Sequence, residues 1–211
     1  DLSAHPAQDL SNHHGVMIRL HDDGQVPADN PFVGQEGALP EIWSYGHRNP
    51  QGLAIHPDTG DVWINEHGPQ GGDELNLVQP GLNYGWPVVG YGVNYGSGSA
   101  IHGGTLRDDI EPPTHFWVPS IATSGLVIYS GDRFPEWKGS VFVGGLSGQQ
   151  LARLTPSVDQ PRRFEREETL AYGIGRVRDV REGPDGYLYL AIEDRGGAPT
   201  PVVRLEPITA R

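Results

Sequence analysis

The sequence predicts a nearly all-β fold, with short strands grouped as the blades of a β-propeller. Short alternating or apolar runs recur along the whole chain, whereas no window keeps apolar residues at helical spacing for long enough to predict a helix. In addition, a four-stranded unit with its own hairpin turns recurs about every 40 to 50 residues, which is typical of propeller blades. A β-sandwich would also fit alternating strands, but the repeat spacing favours the propeller.

Nine segments are predicted as strands because each is rich in β-branched, aromatic or leucine residues and is bounded by turn-forming residues. They are GVMIRL (15–20), GLAIHP (52–57), DVWINE (61–66), GLVIYS (125–130), GSVFVGGL (139–146), QLARLTP (150–156), VRDVREG (177–183), YLYLAIED (187–194) and PVVRLEP (201–207). Two stretches, 52–68 and 180–196, share an outline: a strand, a Pro-Asp turn closed by Gly, and a strand ending in an acidic residue. This internal similarity supports repeated units.

Length and composition limit the possible partners. The 211 residues suffice for four to five blades, so we expect a single propeller domain over 1–211 that forms an open arc and needs the remaining blades of the same propeller to cover its flank.

The formal net charge of -12 disfavours nucleic acid and anionic membranes, and no apolar run approaches the roughly 20 residues of a membrane span. The start, DLSAHPAQDL, carries neither a signal peptide nor Met, so we expect a longer parent protein.

Four motifs point to one family. They are GHRNPQGLA (46–54), EHGPQGGDELN (66–76), GLNYGWP (81–87) and GRVRDVREGPDG (175–186). With them, nearly the whole chain resembles the soluble dehydrogenases of aldoses and glucose that depend on pyrroloquinoline quinone (PQQ). The resemblance implies a six-bladed β-propeller, of which this chain is the later portion and lacks the first blades.

The resemblance also implies a cofactor site. PQQ is a flat tricarboxylate quinone, so its site requires fixed positive charge and a hard cation. Arg48 and Asn49 match the pair that contacts the quinone and carboxylate oxygens of the cofactor. Arg176 and Arg178 match its carboxylate-binding arginines, and their alternate spacing turns both to one side of a strand with Val177 turned aside.

Two calcium sites follow from the same resemblance. The backbone carbonyls of Gly68 and Pro69 match those that hold the calcium bridging to PQQ, and calcium prefers such oxygen ligands. Glu74 and the carbonyl of Tyr84 match the ligands of a second, structural calcium. Taken without the family, GGDE is an ordinary acidic turn.

Three departures from the family pattern bear on the site. Ser147 stands where the glucose-oxidising branch has a Lys that reaches the cofactor. WVPSIATSG (117–125) replaces a Trp-Pro-Thr segment that lines the cofactor, which leaves Trp117 and Ser120 as approximate matches. The catalytic His of the family lies upstream, and none of the nine histidines here matches it.

The leading functional hypothesis is a periplasmic or secreted PQQ-dependent dehydrogenase that oxidises an aldose sugar to its lactone and passes electrons to an external acceptor. One alternative is a non-catalytic propeller used for binding, since a fold does not dictate function. Another is a propeller hydrolase such as a lactonase, which requires a cluster of acidic metal ligands that the sequence does not supply. The set of Arg48, Arg176 and Arg178 favours the dehydrogenase.

Overall fold

The computed structural model describes residues 2–160 and 162–208, and the all-β prediction is confirmed. The strands of these residues are β1 (Val16–Ile18), β2 (Ile42–Tyr45), β3 (Pro50–Ile55), β4 (Val62–Glu66), β5 (Asp73–Val78), β6 (His115–Trp117), β7 (Thr123–Ile128), β8 (Val141–Gly145), β9 (Gln150–Pro156), β10 (Phe164–Leu170), β11 (Arg176–Glu182), β12 (Leu188–Glu193) and β13 (Val202–Arg204). Short 3₁₀ helices cover Leu2–Ala4, Pro6–Gln8 and Pro135–Trp137. Within the described residues, no helix is long and apolar enough to cross a membrane.

Consecutive strands pair antiparallel in four sheets: β1 with β2, β3 to β6, β7 to β10, and β11 to β13. All nine predicted segments overlap observed strands. Four strands were not predicted, namely β2, β5, β6 and β10. Strand β10 reads FEREETL, and its charged residues are largely exposed, so it lacks the apolar run that identifies a strand.

Two hydrophobic clusters hold successive sheets face to face. The first lies between the β3–β6 and β7–β10 sheets and includes Trp63, Leu126 and Leu154. The second lies between the β7–β10 and β11–β13 sheets and includes Phe142 and Leu188. These side chains are nearly inaccessible to water, so burial of apolar surface between sheets provides the main stabilisation of the fold.

Glycines allow strands β3, β7 and β11 to approach one another closely. A Cβ on Gly52 of β3 would lie 2.5 Å from the Ser124 carbonyl oxygen of β7. A Cβ on Gly125 of β7 would lie 2.6 Å from the backbone nitrogen of Val180 in β11. Both distances are shorter than real carbon contacts allow, so the packing of these three strands requires glycine.

The candidate site residues lie at one edge of these sheets. In an antiparallel meander, alternate connections share an edge, so the loops 46–49, 67–72, 118–122 and 146–149 lie on the same side. Hydrogen bonds join neighbouring loops there. The His67 ring nitrogen Nε2 lies 2.6 Å from the Thr123 carbonyl oxygen, and the Ser147 hydroxyl donates to the Ser120 carbonyl over 3.3 Å. We call this side the loop edge.

Candidate functional site

A buried carboxylate anchors the turn between β2 and β3. Glu66, at the end of β4, is 3% exposed. The Arg48 backbone N–H donates to Glu66 Oε2 over 2.6 Å, and the Asn49 N–H donates to the same oxygen over 3.4 Å. The ring of His47, which also contacts the Ser44 hydroxyl, lies 3.1 Å from Oε1. One carboxylate therefore contacts three consecutive residues of the GHRN turn.

The Arg48 side chain connects this turn to the next loop. Its Nη1 donates to the His67 carbonyl over 2.9 Å, while the His67 N–H donates to the Asn49 carbonyl over 3.0 Å. The guanidinium lies 5.1 Å from the centre of the Trp86 ring, within the range of a cation–π contact. Among the described residues, the buried Arg48 Nε has no hydrogen-bond partner, so Arg48 retains a donor for a bound anion.

The turn that carries Gly68 and Pro69 is closed by Asp73. One oxygen of Asp73 accepts from the Gly68 N–H over 3.1 Å, and the other accepts from the Thr123 N–H over 3.2 Å. A Cβ on Gly68 would overlap the carbonyl oxygens of Gly71 and Gly72, so the turn has no room for a side chain. In the described part of the chain, no hydrogen bond reaches the Gly68 or Pro69 carbonyl, and both carbonyls are available to a cation.

A small cavity lies beside this turn. It has a volume of about 20 Å³, enough for one water-sized group, and Glu66, Glu74 and Tyr84 are among its lining residues. Glu66 and Glu74 are directly paired across β4 and β5, and the Asn76 amide donates to both. Burial, together with the charge of Glu66, raises the pKa of Glu74 to about 8. Two carboxylates this close repel each other when both are ionised, and a cation bound between them would relieve that repulsion.

The two arginines of β11 converge on a single carboxylate. Arg178 forms an ion pair with Glu193 of β12, and the Nε of Arg176 lies 3.7 Å from the same Glu193 oxygen. Val177 between them is fully buried, which agrees with the expected alternation of side chains. Arg176 Nε is buried and, within the described residues, lacks a hydrogen-bond partner. Arg178 is half-exposed, so both guanidiniums retain donors for carboxylates of a ligand.

Trp117, the last residue of β6, differs from the expectation. Its ring is buried in the first hydrophobic cluster, and its Nε1 donates to Glu167 over 2.8 Å. Since the ring packs between two sheets, Trp117 supports the loop 118–122 from within rather than presenting its face to a ligand. Ser120 is partly exposed on that loop, and its hydroxyl accepts from the Ala122 N–H.

Several residues of the site were missed by the sequence reasoning. Glu66, Asp73 and Glu193 each bind backbone or guanidinium groups at the loop edge, and His102 lines the cavity with an unpartnered, buried Nε2. Only the dense acidic residues of EHGPQGGDE hinted at the first two. No group of three or more His, Asp or Glu side chains in the described residues forms a metal cluster. A cation here would rely on backbone carbonyls as well as carboxylates.

Comparisons with known proteins identify related chains. The family model described as Glucose / Sorbosone dehydrogenase matches residues 1–204. The aldose sugar dehydrogenase YliI of Escherichia coli (strain K12) is 45% identical over 193 residues, which cover 90% of this chain and 51% of the relative.

Two solved structures are also similar. A crystal structure of a glucose dehydrogenase has a TM-score of 0.88 and 46% identity, covering 95% of this chain and 57% of the other. The PQQ-bound form of an aldose sugar dehydrogenase from Streptomyces coelicolor has a TM-score of 0.71 and 29% identity, covering 95% and 54%. The chain spans about half the length of the curated relatives it matches. By the match along nearly its whole length, the chain belongs to the glucose/sorbosone dehydrogenase family.

Proposed function

We propose that this chain supplies the calcium sites and much of the PQQ site of a quinoprotein dehydrogenase, which oxidises aldose sugars to lactones and reduces an external electron acceptor. The proposal rests on the hydrogen bonds that join the loop 46–49 to the loop 67–72. Arg48 and Asn49 are hydrogen-bonded to His67, which directly precedes Gly68 and Pro69. Anion-binding and cation-binding groups are thereby held side by side at the loop edge.

The arginines would hold the cofactor by its carboxylates. Arg48 and Arg176 each retain a buried Nε without a partner in the described residues, and Arg178 is half-exposed. Charge-assisted hydrogen bonds from a guanidinium fork match carboxylate geometry and are among the strongest in proteins. Asn49 and Ser120 lie on loops of the same edge and would add neutral contacts.

Backbone carbonyls would hold the calcium that bridges to the cofactor. The Gly68 and Pro69 carbonyls are free of hydrogen bonds in the described part of the chain, and Gly68 cannot be replaced without overlap in the turn. Glu74 and the Tyr84 carbonyl would hold a second calcium in the small cavity, where that ion would offset the charge of Glu66. When bound, PQQ supplies the two-electron acceptor that this chain's side chains lack.

We further propose that additional blades complete the ring. Leu53 and Ile55 on β3 are 46% and 62% exposed, and Ile18 on β1 is 50% exposed. Such apolar exposure at the first two sheets fits a surface that other strands cover. A base for the hydroxyl proton of the sugar would come from those blades, because His47 and His67 are already engaged with Glu66 and Thr123. We also propose a periplasmic or secreted location for the complete protein.

An activity assay tests this proposal. The complete protein is reconstituted with PQQ and calcium and is assayed for reduction of an artificial dye with a panel of aldoses. We expect turnover that requires PQQ. Binding of PQQ without turnover of any aldose would favour the non-catalytic binding module instead.

A further inference from the structure

The side chain of Glu66 is buried between the loop that carries Arg48 and the loop that carries Gly68 and Pro69. Three of its contacts go to consecutive residues, His47, Arg48 and Asn49, and the fourth goes to the Asn76 amide. This residue is neither an expected cofactor contact nor an expected calcium ligand. Its place in the network therefore needs a separate explanation.

The backbone N–H groups of Arg48 and Asn49 converge on one oxygen of Glu66. Convergence of this kind favours an ionised acceptor, and the hydrogen bond of 2.6 Å is shorter than a usual neutral N–H···O bond. If the carboxylate is removed, the two N–H groups that directly precede β3 lose their charged acceptor, and the direction of the Arg48 side chain is no longer fixed. The Arg48 bond to the His67 carbonyl would then loosen as well.

We propose that Glu66 is a positioning residue, whose carboxylate fixes residues 47–49 in the conformation that presents Arg48 and Asn49 to the cofactor and holds the loop of Gly68 and Pro69 beside them. The expected effect of Glu66 on cofactor binding rests on the proposed function. Its expected effect on the conformation of residues 48 and 49 does not, because that effect depends only on the contacts of the Arg48 and Asn49 amides with Glu66.

The first test is amide hydrogen exchange of the complete protein without cofactor. In Glu66→Gln, exchange at residues 48 and 49 should be faster, while exchange within β11 should not change. The matched control is Glu167→Gln, which removes a carboxylate bonded to His115 and Trp117 away from this turn. Unchanged exchange at residues 48 and 49 in Glu66→Gln would overturn the inference.

The second test is a double-mutant cycle on PQQ affinity. Glu66→Gln should weaken binding about 10- to 100-fold, the usual effect of losing a partner that orients a ligand-binding residue. Combination with Arg48→Ala should add little further loss, whereas combination with Arg178→Ala should be additive, because Arg178 lies in another sheet. Glu66→Asp, which keeps the charge, should recover part of the affinity. Full additivity with Arg48→Ala would contradict the positioning role.

These readouts separate two kinds of failure. If the wild-type protein does not bind PQQ, the proposed function is wrong, and the exchange experiment alone decides the role of Glu66. If the wild-type protein binds PQQ but Glu66→Gln binds it equally well, the function stands and the positioning role is wrong.

Discussion

The carboxylates of Glu66 and Glu74 face one cavity from directly paired positions on β4 and β5, and a single amide, that of Asn76, donates to both. Like charges at paired strand positions are destabilising. The pKa values of the two carboxyl groups shift in opposite directions. Burial, together with the charge of Glu66, raises the pKa of Glu74 to about 8. Burial opposes ionisation of Glu66 too, but His47 and the Arg48 N–H outweigh it and lower the pKa of Glu66.

The first prediction concerns the pH dependence of stability. Because the pKa of Glu74 is raised from 4.5 to about 8, its contribution to stability is fully present below 4.5 and is lost as the pH rises through 8. The calcium-free complete protein should therefore lose free energy of unfolding over this range. Glu74→Gln should show a smaller loss, and calcium should reduce the loss in the wild type. This loss is measured by urea unfolding at several pH values, with calcium or with a chelator. The same dependence of the free energy of unfolding on pH in the wild type and in Glu74→Gln would contradict the prediction.

The second prediction concerns the turn at Gly68. Gly68→Ala should destabilise the protein by about 1 to 3 kcal/mol, the usual cost of overpacking, because its Cβ would overlap two carbonyl oxygens. Calcium affinity should fall as the turn shifts. Gly103→Ala is the matched control, since a Cβ there would lie 3.6 Å from its nearest neighbour. Chemical denaturation of the two variants should separate them, and equal stability would show that the turn accommodates a side chain.

The sequence predicted the strands with strong apolar patterns but not the short or charged ones. QLARLTP was predicted with the bounds of β9 because it is a short, largely apolar run, and most of its residues are buried. Strand β6 has only three residues, too few to show a period. The long connection between β5 and β6 has no alternating pattern, so its contribution of Tyr84 and His102 to the cavity follows from tertiary packing.

Candidate site residues were predicted where a family motif contains them, whereas several residues that contact them in the structure were missed. Arg48, Arg176 and Arg178 were recognised from their motifs. Glu193, which joins the two β11 arginines, lies at the end of β12, where the repeated outline places an acidic residue but does not indicate its partners. Trp117 was expected at the cofactor, but the side chains of successive strand residues alternate, and its position turns the ring into the core.

The third prediction concerns the β11 arginines. Arg176→Ala or Arg178→Ala in the complete protein should weaken PQQ binding by about 1.5 to 3 kcal/mol, the scale of a hydrogen bond to a charged group. Arg181→Ala is the control, because Arg181 lies on the same strand and pairs with Asp179. Titration calorimetry measures the differences. If both variants bound PQQ with the same affinity as the control, Arg176 and Arg178 would be paired with Glu193 alone and would not contact the cofactor.

The fourth prediction concerns the 211-residue chain alone. It should not oxidise aldoses even with calcium and PQQ present, because a positioned base contributes about 10²- to 10⁴-fold and none of its histidines matches that of the family. Dye reduction by this chain is compared with that of the complete protein. Equal rates would mean that a base lies within the chain, with His102 the first candidate because its Nε2 is unpartnered in the described residues.

We propose above all that PQQ binds through calcium at the loop edge, between the turns of Arg48 and Gly68. The most direct measurement is titration of the complete protein with PQQ, once with calcium and once with a chelator. The account predicts saturable binding of PQQ with calcium and a large loss of affinity with the chelator. Equally tight binding in the presence of the chelator, or no binding under either condition, would contradict it.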